Sequence, residues 1–290
     1  MTAVGFAALS GALFGALAVA VRTALRRRAD PEAGAFVVPA VAAAVSAPAG
    51  LWAAEAGEVR AGDLWPFVLA GALVPGCTQL LFILAVRDAG PSRAAILIGT
   101  APLVSVTIAL TVLGEPFRPL LLLGTVLVVA GGVALARERS RPQHFRAVGI
   151  AAALVCAFLF GVRDNVVRWA ARGAHPPALT ASAVSLAAAA GVMLVYTLLV
   201  RRRAGLARLR PALPAFAPAG LILAAAYAFL FEAFDHGSVA VVAPLNATQS
   251  LWAVAFAAVV LGLSAELIGR RLLVAGVLVV AGAALIGALH

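Results

Sequence analysis

Long apolar runs separated by short polar segments extend along the whole chain. Each run is close to the roughly 20 residues that a helix needs to cross a bilayer. The runs are continuous and do not alternate in polarity, which favours helices over a β-barrel. Ten spans are predicted, at residues 3–22, 34–54, 64–86, 93–113, 117–136, 147–168, 177–200, 212–232, 238–262 and 271–289. The predicted fold is therefore an all-α integral membrane protein with ten transmembrane helices.

Composition supports a membrane protein and argues against a nucleic-acid binder. Hydrophobic residues make up 63% of the chain and charged residues 12%, whereas soluble domains are about half apolar and a quarter charged. The net charge of +10 could suit a nucleic-acid partner. The basic residues lie almost entirely between the apolar runs, however, so the predicted partner is the lipid bilayer and not nucleic acid.

The basic residues also predict an orientation. All 22 are arginines, and seventeen of them fall in the loops after spans 1, 3, 5, 7 and 9. The opposite side has only Arg60, Arg118, Arg168 and Arg172, and Arg163 lies within span 6. Because arginine-rich loops stay in the cytoplasm, both termini are predicted to lie outside a bacterial-type cytoplasmic membrane.

Four collinear sequence matches indicate an internal duplication. Their offsets rise only from 146 to 151 residues, which is consistent with a few small insertions. The matched pairs are Leu13–Arg26 with Leu159–Arg172, Thr100–Leu103 with Thr248–Leu251, Glu115 with Glu266, and "VLVVAG" at Val126–Gly131 and at Val277–Gly282. Two five-span repeats follow, at 1–138 and 147–290. Five is odd, so the second repeat enters the membrane from the opposite side, as in the inverted repeats of many secondary transporters.

The segment Ala85–Leu135 closely resembles the end of an EamA-type repeat of the drug/metabolite transporter superfamily. The features that carry the resemblance are Gly90, Ser92, Pro102, Gly114-Glu115, Gly124 and Gly131, with Val241–Trp252, Glu266 and Ala275–Gly282 in the second half. Gln249-Ser250 stands where a second proline is usual, and three extra residues precede Glu266. The resemblance implies a central cavity lined by spans 1, 3, 4, 6, 8 and 9. It also implies export or exchange of small organic metabolites, with spans 5 and 10 at the periphery. For the termini the resemblance implies a cytoplasmic location, opposite to the one that the arginines predict.

Span 6 contains the polar triplet Arg163-Asp164-Asn165, where the first repeat has apolar residues. Asp164 and Arg168 are one helical turn apart and are expected to pair. One interpretation is an ion pair near the outer end of the span, with Arg163 extending towards water. The other is a charged gate or substrate anchor formed by Arg163, Asp164, Asn165 and Arg168, in which Asp164 is the candidate for proton coupling.

Span 9 contains a second polar set. Asn246, Gln249 and Ser250 have the spacing i, i+3 and i+4, which predicts one helical face, and Pro244 allows a bend before them. Thr248 and Trp252 form an adjoining stripe. Such a face suits hydrogen bonding to a zwitterionic or polar neutral ligand. The alternative is that the amides join neighbouring helices.

Weaker substrate-binding candidates are Gln79 in span 3, Thr100 in span 4 and Tyr227 in span 8. A lone threonine in a helix more often bonds its own backbone. Glu232, Asp235 and His236 are interpreted as a solvated cluster rather than a proton relay. Glu115 and Glu266 are predicted to cap helices.

The sequence carries no H-E-x-x-H, P-loop or G-x-S-x-G motif, and its four histidines are scattered. We therefore predict no enzyme activity, no cofactor, no metal site and no ATP-driven transport. The predicted function is secondary transport of small organic metabolites, amino-acid-like or drug-like, by export or exchange through alternating access. Proton or counter-substrate coupling is compatible with this function. The alternative is a channel or a non-transporting membrane scaffold.

Overall fold

A computed structural model describes residues 2–57, 59–115, 119–136, 147–173 and 176–261, and also 274–275, 277–278, 281–282 and 285. The regular secondary structure of these residues is helical throughout. The α-helices are α1 (Ala3–Arg26), α2 (Pro31–Ala56), α3 (Trp65–Gly71), α4 (Gln79–Ala89), α5 (Pro91–Ile98), α6 (Ala101–Thr111), α7 (Pro119–Ala136), α8 (Ala147–Gly173), α9 (Ala178–Tyr196), α10 (Arg202–His236), α11 (Val239–Asn246) and α12 (Gln249–Leu261). A 3-10 turn at Ala61–Asp63 and π-helical segments at Ala72–Cys77 and Thr197–Arg201 join some of them.

Within the residues that the structure describes, seven helical segments are long and apolar enough to cross a membrane, namely Ala3–Arg26, Pro31–Ala56, Ala61–Ala89, Ala147–Arg172, Ala178–Val200, Ala207–His236 and Val239–Leu261. Shorter apolar helices, among them Ala101–Thr111, lie between them. The prediction of an all-α membrane protein is thus confirmed. The first nine predicted spans fall on these helices, whereas most of span 10 lies outside the described residues.

The predicted start of span 8 is wrong. The sequence placed Arg208 and Arg210 in a loop before span 8, but both belong to α10, which begins at Arg202 and contains three prolines. Alanine, leucine and arginine in this segment are strong helix formers. Arg208 is 63% exposed on this helix and pairs with Asp30, with 3.0 Å between Nη1 and Oδ2.

Two pairs of packed helices run antiparallel. α1 and α10 are antiparallel, because Ser10 donates to the carbonyl of Ala226 while Gly237 lies against Ala3. α8 and α4 are likewise antiparallel, with Cys156 beside the Thr78 carbonyl at 3.7 Å and Gly149 against Asp88. Each pair combines an odd-numbered and an even-numbered predicted span, which should run in opposite directions because successive membrane crossings alternate.

The sequence duplication is repeated in the packing. A Cβ atom added to Gly15 of α1 would lie 2.6 Å from Cβ of Trp252, and one added to Gly161 of α8 would lie 2.6 Å from Cβ of Val104. Gly15 matches Gly161 in the duplication, and Val104 matches Trp252. The absence of a side chain at both glycines lets the helix backbones approach closely. Each half therefore supplies one first helix that packs on the broken helix of the other half.

Spans 4 and 9 are both interrupted, at matching positions. α5 ends at Ile98 and α6 begins at Ala101, while α11 ends at Asn246 and α12 begins at Gln249. The link closes the same way in each, with Thr100 N–H donating to Leu97 and Thr248 N–H donating to Leu245, both at 3.1 Å. Irregular backbone at membrane depth is tolerated where protein buries it or where it lines a cavity. The two breaks thus identify equivalent places in the protein interior.

Candidate functional site

Charged and amide side chains of α8 lie in the centre of the helix packing. Arg163, Asp164 and Asn165 are 1%, 5% and 5% exposed. Arg163 Nε lies 2.9 Å from Asp164 Oδ1. This geometry contradicts the interpretation in which Arg163 extends towards water, because the side chain is enclosed by protein.

The expected pairing of Asp164 with Arg168 is also wrong. Asp164 pairs with its neighbour Arg163, and Arg168 Nη1 instead donates to the Phe234 carbonyl at 2.8 Å. The matching Arg22 makes the same kind of contact in the first half, donating to the Arg87 carbonyl at 3.0 Å. Arg168 therefore ties α8 to α10 and lies outside the buried triplet.

Ser105 of α6 connects this helix to the triplet through two contacts. Its hydroxyl donates to Asp164 Oδ2 at 3.0 Å, and its carbonyl accepts from Asn165 Nδ2 at 2.9 Å. Asn165 Nδ2 also donates to the Gly161 carbonyl at 2.9 Å. Both polar side chains of α8 are thereby oriented by the broken helix of the other half.

Aromatic rings surround the Arg163 guanidinium. Its Cζ atom lies 5.5 Å from the ring centroid of Phe160 and 5.4 Å from that of Tyr227, within cation–π distance. Tyr227 is buried in α10, and its hydroxyl donates to the carbonyl of Val74 at 2.8 Å. Val74 has non-helical backbone angles between α3 and α4, so its carbonyl is free for this bond. Residues of three predicted cavity helices, spans 3, 6 and 8, meet here.

Several buried polar atoms make no hydrogen bond within the described protein. Among them are Arg163 Nε and Nη1, Asp164 Oδ1, Asn165 Oδ1, Arg168 Nε, Gln79 Nε2, Asn246 Oδ1 and Thr248 Oγ1. The close approach of Arg163 Nε to Asp164 Oδ1 is an ion pair without aligned hydrogen-bond geometry. Each such group costs about 1–3 kcal/mol when it is buried without a partner. Arg163, Asp164 and Asn165 are consecutive residues, and their free donors and acceptors can bind a small polar molecule.

The polar span 9 candidates Asn246, Gln249 and Ser250 are buried but do not share one continuous helical face. Asn246 ends α11, Gln249 and Ser250 begin α12, and the helix is interrupted between them. Ser250 uses its hydroxyl locally, donating to the Ala247 carbonyl at 3.1 Å. Trp252 is 42% exposed and stacks on Phe256, so the structure does not bring its ring into the buried set.

The remaining candidates differ in their burial and in their contacts. Thr100 donates to the Leu97 carbonyl at 2.7 Å, which is the local bond expected of a lone threonine. Gln79 is 2% exposed on α4. His236 is half exposed at the end of α10, 3.8 Å from Glu232, which fits a surface cluster.

Sequence reasoning missed Ser105 and Phe160. Ser105 corresponds to Ala253 in the second half, so the criterion that picked out Arg163, a polar residue where the other half is apolar, would also have found Ser105. Phe160 is identical to its counterpart Phe14, so no difference between the halves marks it. Its role follows only from its position beside Arg163.

A separate cavity of about 300 Å³ opens near the ends of α3 and α8. Its lining residues are Gly62, Asp63, Trp65, Pro66, Trp169, Ala170 and Arg172. Trp65 and Trp169 are about half exposed and contact each other edge to face, as tryptophans do at a membrane interface. This cavity contains none of the buried polar candidates.

Comparison with known proteins identifies the family. The family model described as "EamA-like transporter family" matches residues 1–137 and again residues 147–288. The chain belongs to the EamA-like transporter family. It is thus a membrane transporter of the drug/metabolite transporter superfamily and not an enzyme, as predicted.

One solved structure, titled only "Crystal structure of protein", is similar to this EamA-like protein over 99% of each chain. Its TM-score is 0.72 and its sequence identity is 21%, so the likeness concerns the fold alone. No curated protein matches the chain significantly. Family membership implies a small-molecule substrate and a multi-pass membrane location.

Tyr227→Phe separates the contribution of the Tyr227 hydroxyl to stability from that of its ring to ligand binding. The substitution removes the hydroxyl that bonds the Val74 carbonyl but leaves the ring over Arg163. We expect a loss of about 1 kcal/mol in the free energy of unfolding, measured by denaturant titration in detergent, and little change in ligand-induced stabilisation. Tyr227→Leu, which also removes the ring, should weaken that stabilisation. Equal binding by both variants would exclude the ring from the site.

Proposed function

We propose that this EamA-like transporter is a secondary carrier that exports or exchanges small organic metabolites by alternating access. The proposed architecture has ten transmembrane helices in two inverted repeats, at 1–138 and 147–290. The matched glycine contacts of α1 and α8 and the matched breaks in spans 4 and 9 support it. Inverted repeats supply two conformations of similar energy, because the halves can exchange roles.

The observation that carries the proposal is the buried Arg163–Asp164 pair. Ion pairs inside a membrane are costly and generally mark a substrate or ion pathway. Here the pair keeps unpartnered donor and acceptor atoms, beside Asn165 and the Tyr227 ring. A substrate with an anionic or carbonyl group can bind Arg163, and a cationic group or a proton can bind Asp164. This complementarity favours amino-acid-like or drug-like solutes.

Further substrate contacts are proposed at the break in span 9 and around it. Asn246 and Gln249 are buried on the two sides of the break, and Gln79 offers an unpartnered amide nitrogen. Ser250, Thr100 and Trp252 are retained as secondary contacts. Arg168 acts at the gate by joining α8 to α10. Discontinuous helices commonly form the substrate sites of transporters in this way.

The proposed location is a bacterial-type cytoplasmic membrane. Seventeen of the 22 arginines follow the odd-numbered spans in the sequence, and this bias supports a cytoplasmic position for that side and an outside position for both termini.

Counterflow in proteoliposomes tests the carrier mechanism. Amino acids, nucleosides and cationic drugs are first screened by thermal stabilisation, and the stabilising solute is then used as radiolabel. A carrier accelerates exchange when unlabelled solute is present inside. A channel would only dissipate the gradient, and a scaffold would do neither, and either result would refute the proposal.

Asn246→Ala and Gln249→Ala test the span 9 contacts. Each removes an amide that we assign to substrate, so we expect the half-saturating concentration for exchange to rise about tenfold, the value of one hydrogen bond at 1.4 kcal/mol. The matched control is Thr107→Val, because the Thr107 hydroxyl is exposed and bonds only the Leu103 carbonyl. If all three variants exchange alike, the span 9 site is wrong.

A further inference from the structure

The carboxylate of Glu115 is buried where α6 ends, and its contacts cross between the halves. Its Oε1 accepts from the backbone N–H of Val239 at 3.2 Å, and Oε2 accepts from that of Ala240 at 3.1 Å. Arg172 Nη2 lies 3.2 Å from Oε1. Glu115 belongs to the first family match and all three donors belong to the second. One side chain, 1% exposed, therefore joins the two halves at this end of the molecule.

These contacts have the chemistry of a helix cap supplied from another element. The first N–H groups of a helix have no partner within it and carry partial positive charge. Ser238 precedes α11 but makes no side-chain capping bond. Glu115 takes this role through two charge-assisted bonds, which are stronger than neutral ones. Arg172 reinforces the contact by donating to the Leu113 carbonyl at 2.8 Å.

The other end of α11 is the interruption of span 9. α11 is eight residues long, all of them buried, and it is followed by the break at Ala247 and Thr248. Thus α11 is a short rigid segment that is held at its first turn by Glu115 and joined to α12 by non-helical backbone. A segment built this way can rotate as a unit once its first turn is released.

We propose that Glu115 is a latch that holds α11 against α6 and α8 and keeps this end of the carrier closed. Release of the Val239 and Ala240 N–H groups lets α11 swing about Ala247–Thr248 and opens the interior to water. This inference rests on the proposed alternating-access function, which requires contacts between the halves to break at one end at a time.

The latch acts on the closed conformation alone. In Glu115→Ala the two N–H groups and Arg172 lose their partner while this end is closed, but water replaces it when the end is open. The substitution should therefore shift the population towards the open conformation by about tenfold. Glu115→Gln keeps one acceptor oxygen, so its population of the open conformation should lie between those of the wild type and Glu115→Ala. Arg172→Gln should have a smaller effect, because Arg172 is 39% exposed.

Thiol accessibility measures this shift in purified full-length protein. The reporter is Val242→Cys in a Cys77→Ser/Cys156→Ala background, because Val242 lies in α11 and is fully buried. The control reporter is native Cys156 in a Cys77→Ser background, since Cys156 is equally buried but lies on α8 beside α4. Modification by a small water-soluble thiol reagent is followed by mass spectrometry.

We expect Glu115→Ala to raise the modification rate at Val242→Cys about tenfold and to leave Cys156 unchanged. Glu55→Ala, which removes an exposed carboxylate, should change neither modification rate. The latch is overturned if Val242→Cys stays protected, or if both reporters gain reactivity together, which would indicate general loosening. Counterflow distinguishes the two proposals. Exchange with a protected Val242→Cys refutes only the latch, whereas exposure of Val242→Cys without exchange refutes only the carrier.

Discussion

Arg163→Met is expected to lower solute exchange at least about 100-fold and to destabilise the protein. Truncating one partner of a buried charge pair costs about 2–5 kcal/mol in binding, and Arg163 is enclosed between Phe160 and Tyr227. The loss of stability, about 3–5 kcal/mol, comes from leaving Asp164 as an uncompensated buried charge. Counterflow measures the first effect and denaturant titration in detergent measures the second.

A double variant separates function from folding. Arg163→Met/Asp164→Asn removes both charges and keeps an oxygen that can accept from the Ser105 hydroxyl, so most of the stability should return while exchange stays low. Recovery of exchange together with stability would show that the pair is only structural. Arg208→Met is the matched control, because its ion pair with Asp30 is largely exposed and such pairs contribute little.

Gly71→Ala is expected to be among the most destabilising single-methyl additions in the chain. A Cβ atom at Gly71 would lie 1.9 Å from the carbonyl oxygen of Ser185, so α3 and α9 must separate. Overpacking typically costs about 1–3 kcal/mol and sometimes more. We expect a loss at the upper end of that range, because backbone and not a flexible side chain occupies the space. The midpoint of unfolding in detergent measures it.

Gly191→Ala provides the comparison within α9. A Cβ atom there meets nothing within 4 Å, and alanine favours a helix over glycine by about 1 kcal/mol. This variant should be neutral or slightly stabilised. If Gly71→Ala left the midpoint of unfolding equally unchanged, α3 and α9 would not pack this closely, and the prediction would be wrong.

The outline of the fold follows from local sequence. Apolar runs of bilayer length predict helices whatever they pack against, because lipid allows the backbone few alternatives. The duplication also predicts equivalent contacts in the two halves, since the matched residues Gly15 and Gly161 pack against matched residues. The same comparison singled out Arg163, Asp164 and Asn165, because polar residues stand there in only one half.

The partners within the site depended on neighbours far along the chain. Helical spacing favoured Arg168 for Asp164, since adjacent residues on a helix do not face each other. The side chain of Asp164 is instead oriented by Ser105, 59 residues away, and that of Arg163 by the Tyr227 ring. Spacing along α8 therefore predicted the wrong partner even within this helix, because the faces that meet across helices orient both side chains.

Helix continuity was likewise decided by the tertiary structure. Spacing placed Asn246, Gln249 and Ser250 on one face, but the break at Ala247–Thr248 divides them. Gly11 of α1 lies at this break, where an added Cβ would be 2.9 Å from both the Asn246 carbonyl and the Thr248 hydroxyl. The sequence by itself thus determined which segments enter the membrane and that the chain is duplicated. Only the packed helices decided where the spans break and which residues of other helices contact the Arg163–Asp164 pair, because Ser105 and Tyr227 lie far from it in the chain.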